Sequence, residues 1–192
     1  TNNFATMNPL DNFYYGATFS EGNLKLAQPS GTECYTTSTI AVSQGKWYWE
    51  IKITSSGSSK DFVGIADKVA TASNFSPFSG NSNMLSYYGS NGDSKVGSTG
   101  TSYGATFTTG DIIGVAMDLD NNKLYFSKNA DGVWYAQFAN IHNTASTFEA
   151  NFGNPTFSIS SGNTDGNDYG NFEYAVPNSY YSLCSKNLSE FG

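Results

Sequence analysis

Asn163, Asp165, Asn167, Asp168 and Glu173 bring three carboxylates and two side-chain amides together within eleven positions. Oxygen donors at that density are the chemistry of a hard cation such as Ca²⁺. Asn, Asp and Gly are also the residues of turns, and a solvated turn-rich loop is the preferred reading. Asp165, Asp168 and Glu173 are the candidate ligands if a cation binds, and no cofactor is expected. A second acidic group, Asp118, Asp120, Asn122 and Asp131, fails the calcium-loop pattern. Counted from Asp118, the Gly position holds Lys123 and the bidentate Glu position holds Asn129. That group reads as a turn.

Nucleophilic chemistry has few parts to work with. The chain has one histidine, His142, and two cysteines, Cys34 and Cys184, so a Ser-His-Asp or Cys-His arrangement can be built in only one way and a His-rich metal site not at all. The thiols read as buried small hydrophobes, with a single bridge between them as the alternative. Glycoside hydrolysis needs two carboxylates facing each other across a cleft. None of the 16 acids has a recognisable catalytic context; Glu50 and Glu149 read as surface groups or cross-strand partners. No catalytic residue is assigned, and the chain is expected not to be an enzyme.

Aromatic side chains are the better lead. Phe75, Phe78, Tyr87, Tyr88, Tyr103, Trp134 and Tyr135 lie in or beside polar stretches rich in Ser, Gly and Asn. Tyr and Trp join a flat apolar face to a hydrogen-bonding edge, the combination that dominates interface anchors and also stacks on sugar rings. These seven are the candidate binding residues. Trp47 and Trp49 are assigned to the core instead.

Composition narrows the partner. Charged residues are 13% of the 192, the net charge is -7, and all nine cations are Lys. Without Arg and with a negative balance, phosphate neutralisation and guanine readout are both poorly served, so a nucleic-acid partner is not expected. No apolar run reaches the roughly 20 residues of a membrane helix, so no membrane insertion is expected. Aromatics at 16% with so little charge mark a folded chain rather than a disordered one.

The elements that must position these residues are strands. Residues 46–54, KWYWEIKIT, alternate strictly: Trp47, Trp49, Ile51 and Ile53 on one face, Lys46, Tyr48, Glu50 and Lys52 on the other. Residues 112–119 and 124–127 read as a β-hairpin, with Asn121-Asn122 suited to the centre of a type I′ turn. Gly114 inside the first of these strands implies a bulge or a close backbone approach. Further strands are expected at 14–19, 24–27, 34–42, 62–66, 84–88, 133–138, 147–152 and 171–174. Surface loops are expected at 55–60, 71–83, 90–103 and 158–170. The fold class is all-β, an antiparallel two-sheet sandwich or barrel with almost no helix.

GKWYWEIKI at 45–53, VGIAD at 63–67, YGATFTTGDIIGVAMDLDNNKLYFSKN at 103–129 and FEANFGNPTF at 148–157 resemble the SPRY (B30.2-like) domain family in order and spacing. The resemblance covers about residues 34–157. It implies a bent, concanavalin-type jelly-roll sandwich, here one domain over 1–192 with packed terminal segments, and a non-enzymatic interaction module. The segments FATMNPL and VPNSYYSLCSKNLSEFG, with the Arg-free composition rich in Ser, Thr, Asn and Gly, resemble SPRY-type modules of bacteriophage structural proteins. That second resemblance implies a virion or extracellular-surface location. The module would be a tail-fibre, appendage or capsid-decoration protein engaging virion subunits, a host surface protein or a surface glycan, with a homo-oligomer as one form it could take. The alternatives are a cellular SPRY-type peptide-binding adaptor and a glycan-binding or glycan-active domain.

Overall fold

The computed structural model describes residues 1–12, 16–29, 34, 36–57, 61–66, 84–96, 99–130 and 147–192. In chain order its elements are β1 Thr18–Ser20, β2 Lys25–Ala27, β3 Lys46–Ser55, β4 Phe62–Ala66, β5 Met84–Tyr88, β6 Asp93–Val96, β7 Thr99–Ser102, β8 Ile112–Asp118, β9 Lys123–Lys128, β10 Thr147–Asn151, β11 Tyr181–Ser182 and the helix α1 Ser185–Phe191. The strands form two sheets. The larger runs β1-β2-β10-β3-β8-β9, with β11 also on β3, and the smaller runs β4-β5-β6-β7. All pairings are antiparallel except β11 on β3.

The core lies between the sheets, as the alternation in β3 requires. Trp47, Trp49 and Ile53 bury one face of that strand against Ile113, Val115 and Met117 of β8 and Phe126 of β9, and Val63 and Tyr87 close the cluster from the smaller sheet. A buried side chain of this kind contributes about 1.5–3 kcal/mol.

The middle of the other face of β3 does not meet solvent. Tyr48 and Glu50 are both 0% exposed, because the stretch before β11 folds back over the large sheet. Phe172 meets Tyr48 edge-on, 5.0 Å between centroids at 75°, and Tyr180 and Ala116 complete this second cluster. With both faces covered, β8 is buried at every position, which is why its sequence reads as a near-continuous apolar run. The chain's two ends meet: Ala5 donates its N–H to Leu183 and Ser185 donates to Asn3.

Several sequence expectations change. Residues 90–103 were expected to be a loop, yet they contain β6 and β7; an edge strand with little to bury shows no apolar alternation. Residues 34–42 and 171–174 form no described strand, only single bridges, Ser38 with Met7 and Phe172 with Asn163. The hairpin loop after Asp118 has four residues, since Asp118 pairs with Lys123. Of its two Asn residues only Asn122 has positive φ, 53°, so the turn is not type I′. Asp118 caps it instead, accepting from the N–H and Nδ2 of Asn121. Gly114 makes no bulge: its register is continuous with Glu50 and Ser127. It is the close-approach case, because a Cβ there would lie 2.8 Å from the Tyr48 hydroxyl. Cys34 and Cys184 are free and buried, so the bridge is not formed. The expected strand at 133–138, and His142, lie outside the described residues.

Candidate recognition surface

Tyr87 and Tyr88 are neighbours on β5, so alternation sends them to opposite faces. Tyr87 turns inward. Its ring packs 4.9 Å from Phe107 and 5.7 Å from Phe126, its hydroxyl donates to the carbonyl of Ala105, and only 2% of it is exposed. It is a core residue, which corrects its assignment as a loop contact. A tyrosine flanked by polar loops looks the same in sequence whichever way it points.

Tyr88 turns outward and is half-buried. Its strand partner is Phe62, and the rings stack with centroids 4.2 Å apart and planes 14° from parallel. Lys95 on β6 holds its Nζ 5.1 Å from the Tyr88 centroid, within reach of a cation–π contact. The same nitrogen lies 3.9 Å from Asp93 Oδ2. Gly64 and Gly100 share this face, and a Cβ on Gly100 would come within 2.6 Å of that carboxylate oxygen. Beyond β6, β7 is exposed along its whole length and ends the sheet. Phe62 is 3% exposed and Ser86 on the same face 4%, so what this face offers is the half-buried Tyr88 ring, backed by a buried Phe62, with Lys95 over it.

Tyr103 is half-buried and packs edge-on against Tyr87 and Phe126, at 5.3 and 6.3 Å, so it supports the core from its rim. Phe75, Phe78, Trp134 and Tyr135 lie outside the described residues. Sequence reasoning missed Lys95 over the Tyr88 ring and the buried Phe62 that backs it. The signal was there: strands 62–66 and 84–88 in antiparallel register place Phe62 opposite Tyr88.

The acidic candidates are engaged in hydrogen bonds within the chain. Asp165 is 4% exposed. Its Oδ2 accepts from Ser182 N, Ser182 Oγ and Asn187 Nδ2 at 2.6–2.8 Å, and its Oδ1 from the N–H of Tyr169 at 2.8 Å. Burial pushes this carboxyl up, but the donors outweigh it and hold it below the usual value. Asp168 accepts from Thr164 Oγ1. Glu173 accepts from the N–H and hydroxyl of Ser160, which lower its pKa. Among the described residues no three His, Cys, Asp or Glu side chains are placed to hold a metal ion.

Glu50 is a second internal anchor, buried rather than a surface group, and it is the cross-strand partner of Asn151 on β10. It accepts from the Tyr48 hydroxyl, Asn151 Nδ2 and the N–H groups of Glu173 and Tyr174. Burial raises its pKa, only partly offset by these donors. Glu149 is the cross-strand partner its position implied, opposite Lys25 with 3.3 Å between the charges. A shallow cleft of about 380 Å³ between α1 and the β8–β9 turn, lined by Lys46, Asp120, Tyr181 and Phe191 among others, shares no residue with the Tyr88 surface.

The described strands form a two-sheet sandwich whose smaller sheet carries the half-buried Tyr88 ring on its outer face. Residues 46–170 match the family profile described as SPRY domain, so the chain belongs to the SPRY domain family, a class of protein-interaction modules. It is 36% identical over 102 residues to Ran-binding protein 9 of Danio rerio, which spans 52% of this chain and 17% of that protein. It is 36% identical over 94 residues to the Ran-binding proteins 9/10 homolog of Drosophila melanogaster, spanning 47% of this chain and 9% of that protein. The chain thus covers a small part of these relatives' length. Among solved structures, the SPRY domain of human HERC1 superposes with a TM-score of 0.60 at 18% identity, covering 75% of this chain and 96% of that one, a likeness of fold. These relatives are animal proteins, and the virion placement drawn from composition gains no support from them.

Proposed function

We propose that this chain is a cellular protein-recognition module that binds a peptide segment of a partner protein on the Tyr88 face of its smaller sheet. The observation that carries the reading is the half-buried Tyr88 ring, held in place by the buried Phe62 stacked on it and with Lys95 over it, on a domain whose family is one of protein-interaction modules. Such a ring gives a partner flat apolar area that is already ordered, so little side-chain entropy is lost on contact. The test is selection of a displayed random-peptide library on the immobilised chain, beside a glycan array. Peptide enrichment that Tyr88→Ala abolishes while the unfolding transition stays in place supports the reading. Tyr88-dependent capture of glycans with no enriched peptide overturns it.

A second reading has one observation in its favour, the composition: no Arg and charge at only 13%, which suits contacts that tolerate high salt because few ion pairs are screened. It makes the chain a virion-surface or extracellular module contacting host or neighbouring subunits. Adhesion to host cells that persists at seawater ionic strength would favour it over the peptide adaptor.

A further inference from the structure

Asn91-Gly92 is the only Asn-Gly pair among the chain's 21 asparagines, and it forms the loop between β5 and β6. The glycine is required there. Gly92 has φ +75°, and a Cβ on it would lie 2.0 Å from the carbonyl oxygen of Gly104. Packing therefore forces beside an exposed asparagine the one residue type that leaves its own backbone nitrogen sterically open.

We infer that Asn91 is a deamidation site that the native hairpin holds closed. In the reaction, the Gly92 nitrogen loses its proton to base and attacks Cγ of Asn91. A C–N bond forms and the Cγ–Nδ2 bond breaks, releasing ammonia and leaving a cyclic imide. Water opens the imide at either carbonyl, giving Asp or isoAsp. One water is consumed, one ammonia is released, and nothing is oxidised or reduced.

Three native hydrogen bonds oppose the attack. The Gly92 N–H is held by the carbonyl of Tyr88 at 2.9 Å. Asn91 Oδ1 accepts the Asp93 N–H at 3.0 Å, and Asn91 Nδ2 donates to Asp93 Oδ2 at 2.7 Å. The nucleophile keeps its proton, and the amide is turned toward Asp93. Once the loop opens and the imide forms, the product replaces that Nδ2 donor with an oxygen facing the Asp93 carboxylate. The repulsion falls on the residue whose Oδ2 also partners Lys95, so the chemistry reaches the cation above Tyr88. The modification itself does not depend on the recognition reading.

The experiment incubates the full chain in mildly alkaline buffer, with and without denaturing urea, then cuts after Lys and sequences the 69–95 peptide by mass spectrometry. Asn74, Asn81 and Asn83 in the same peptide are internal controls. In urea Asn91 converts first, to both isomers; in the native chain its conversion is several-fold slower. Asp93→Ala speeds native conversion and leaves the rate in urea unchanged, whereas Asp93→Asn, which keeps an acceptor in place, retains the slow native rate. Equal native and unfolded rates overturn the inference, as does an Asn91 no faster than Asn81 or Asn83 in urea. A native rate unmoved by Asp93→Ala also overturns it.

Discussion

The carboxylate of Glu50, in the middle of β3, accepts the backbone N–H of Tyr174 at 2.8 Å, across 124 residues of chain. With the neighbouring N–H of Glu173 at 3.0 Å, it ties the returning segment to the outer face of the large sheet. Backbone N–H groups buried under such a flap need an acceptor, and here one side chain supplies it for two of them. Glu50→Ala leaves buried donors on Tyr48, Asn151, Glu173 and Tyr174 without their acceptor. The expected loss is about 3 kcal/mol or more, read as a lowered urea midpoint. The pH dependence has a definite sign. Because burial raises the folded-state pKa of Glu50 above its ordinary 4.5, its stabilising contribution is complete below that ordinary value and declines as pH rises through the folded one. Glu50→Gln cannot titrate, so its deficit against the native chain shrinks as pH rises across that window.

Asp165 works in the opposite direction. Its donors hold its pKa below the ordinary 3.8 despite burial, so its contribution is present above 3.8 and is lost as pH falls through the folded value. Asp165→Asn turns an amide N–H toward Ser182 and Asn187 on one side or Tyr169 on the other, and the expected cost is about 2–4 kcal/mol at neutral pH. That deficit narrows in acid, the reverse of Glu50→Gln. Because Asn187 sits in α1 and donates to both Asp165 and Ser182, protease cleavage within 185–191 rises in the variant before global unfolding. Unchanged cleavage there would remove Asp165 from the docking of the helix.

How far the sequence alone could see is set by what each residue type discriminates. Strict alternation in KWYWEIKIT made β3 legible, and the two apolar runs around Asp120–Lys123 made β8 and β9 legible, because the apolar face of a strand has one place to go. The same alternation could not place Tyr48 and Glu50 any further: Glu50 is the cross-strand partner of Asn151, but a polar face looks alike under solvent or under a flap of chain that arrives about 120 residues later. Tyr87 and Tyr88 show the limit at the site. Both are Tyr among polar neighbours, and only the strand register separates the core ring from the outer ring. Asp165 carried the opposite ambiguity: the oxygens that hold a cation are those that accept buried N–H groups.

Gly114 faces the ring of Tyr48. A Cβ there would meet the hydroxyl at 2.8 Å and Ser127 Oγ at 3.1 Å, and β8 is fixed on both sides by β3 and β9. Gly114→Ala should therefore cost about 1–3 kcal/mol by overpacking. In a Tyr48→Phe background the nearest clashing atom is gone, so the same substitution should cost measurably less. The double-mutant cycle on urea unfolding reads that coupling, and strict additivity would dissociate the glycine from the tyrosine.

Cys34 is 1% exposed, and burial raises its thiol from an ordinary 9.0 to about 12. Only the thiolate is an effective nucleophile, so at neutral pH the folded chain offers a reagent neither access nor the reactive form. Iodoacetamide labelling followed by peptide mapping should leave Cys34 unmodified in the native protein and modify it fully in urea. The sign of the linkage runs with this: a thiol whose folded pKa is raised contributes stability that holds below 9.0 and is lost as pH climbs toward 12. Labelling of Cys34 should accordingly accelerate in alkaline buffer together with unfolding measured by near-ultraviolet circular dichroism. Fast labelling at neutral pH in a chain that remains folded would show that the thiol is open to solvent, against its packing in the core.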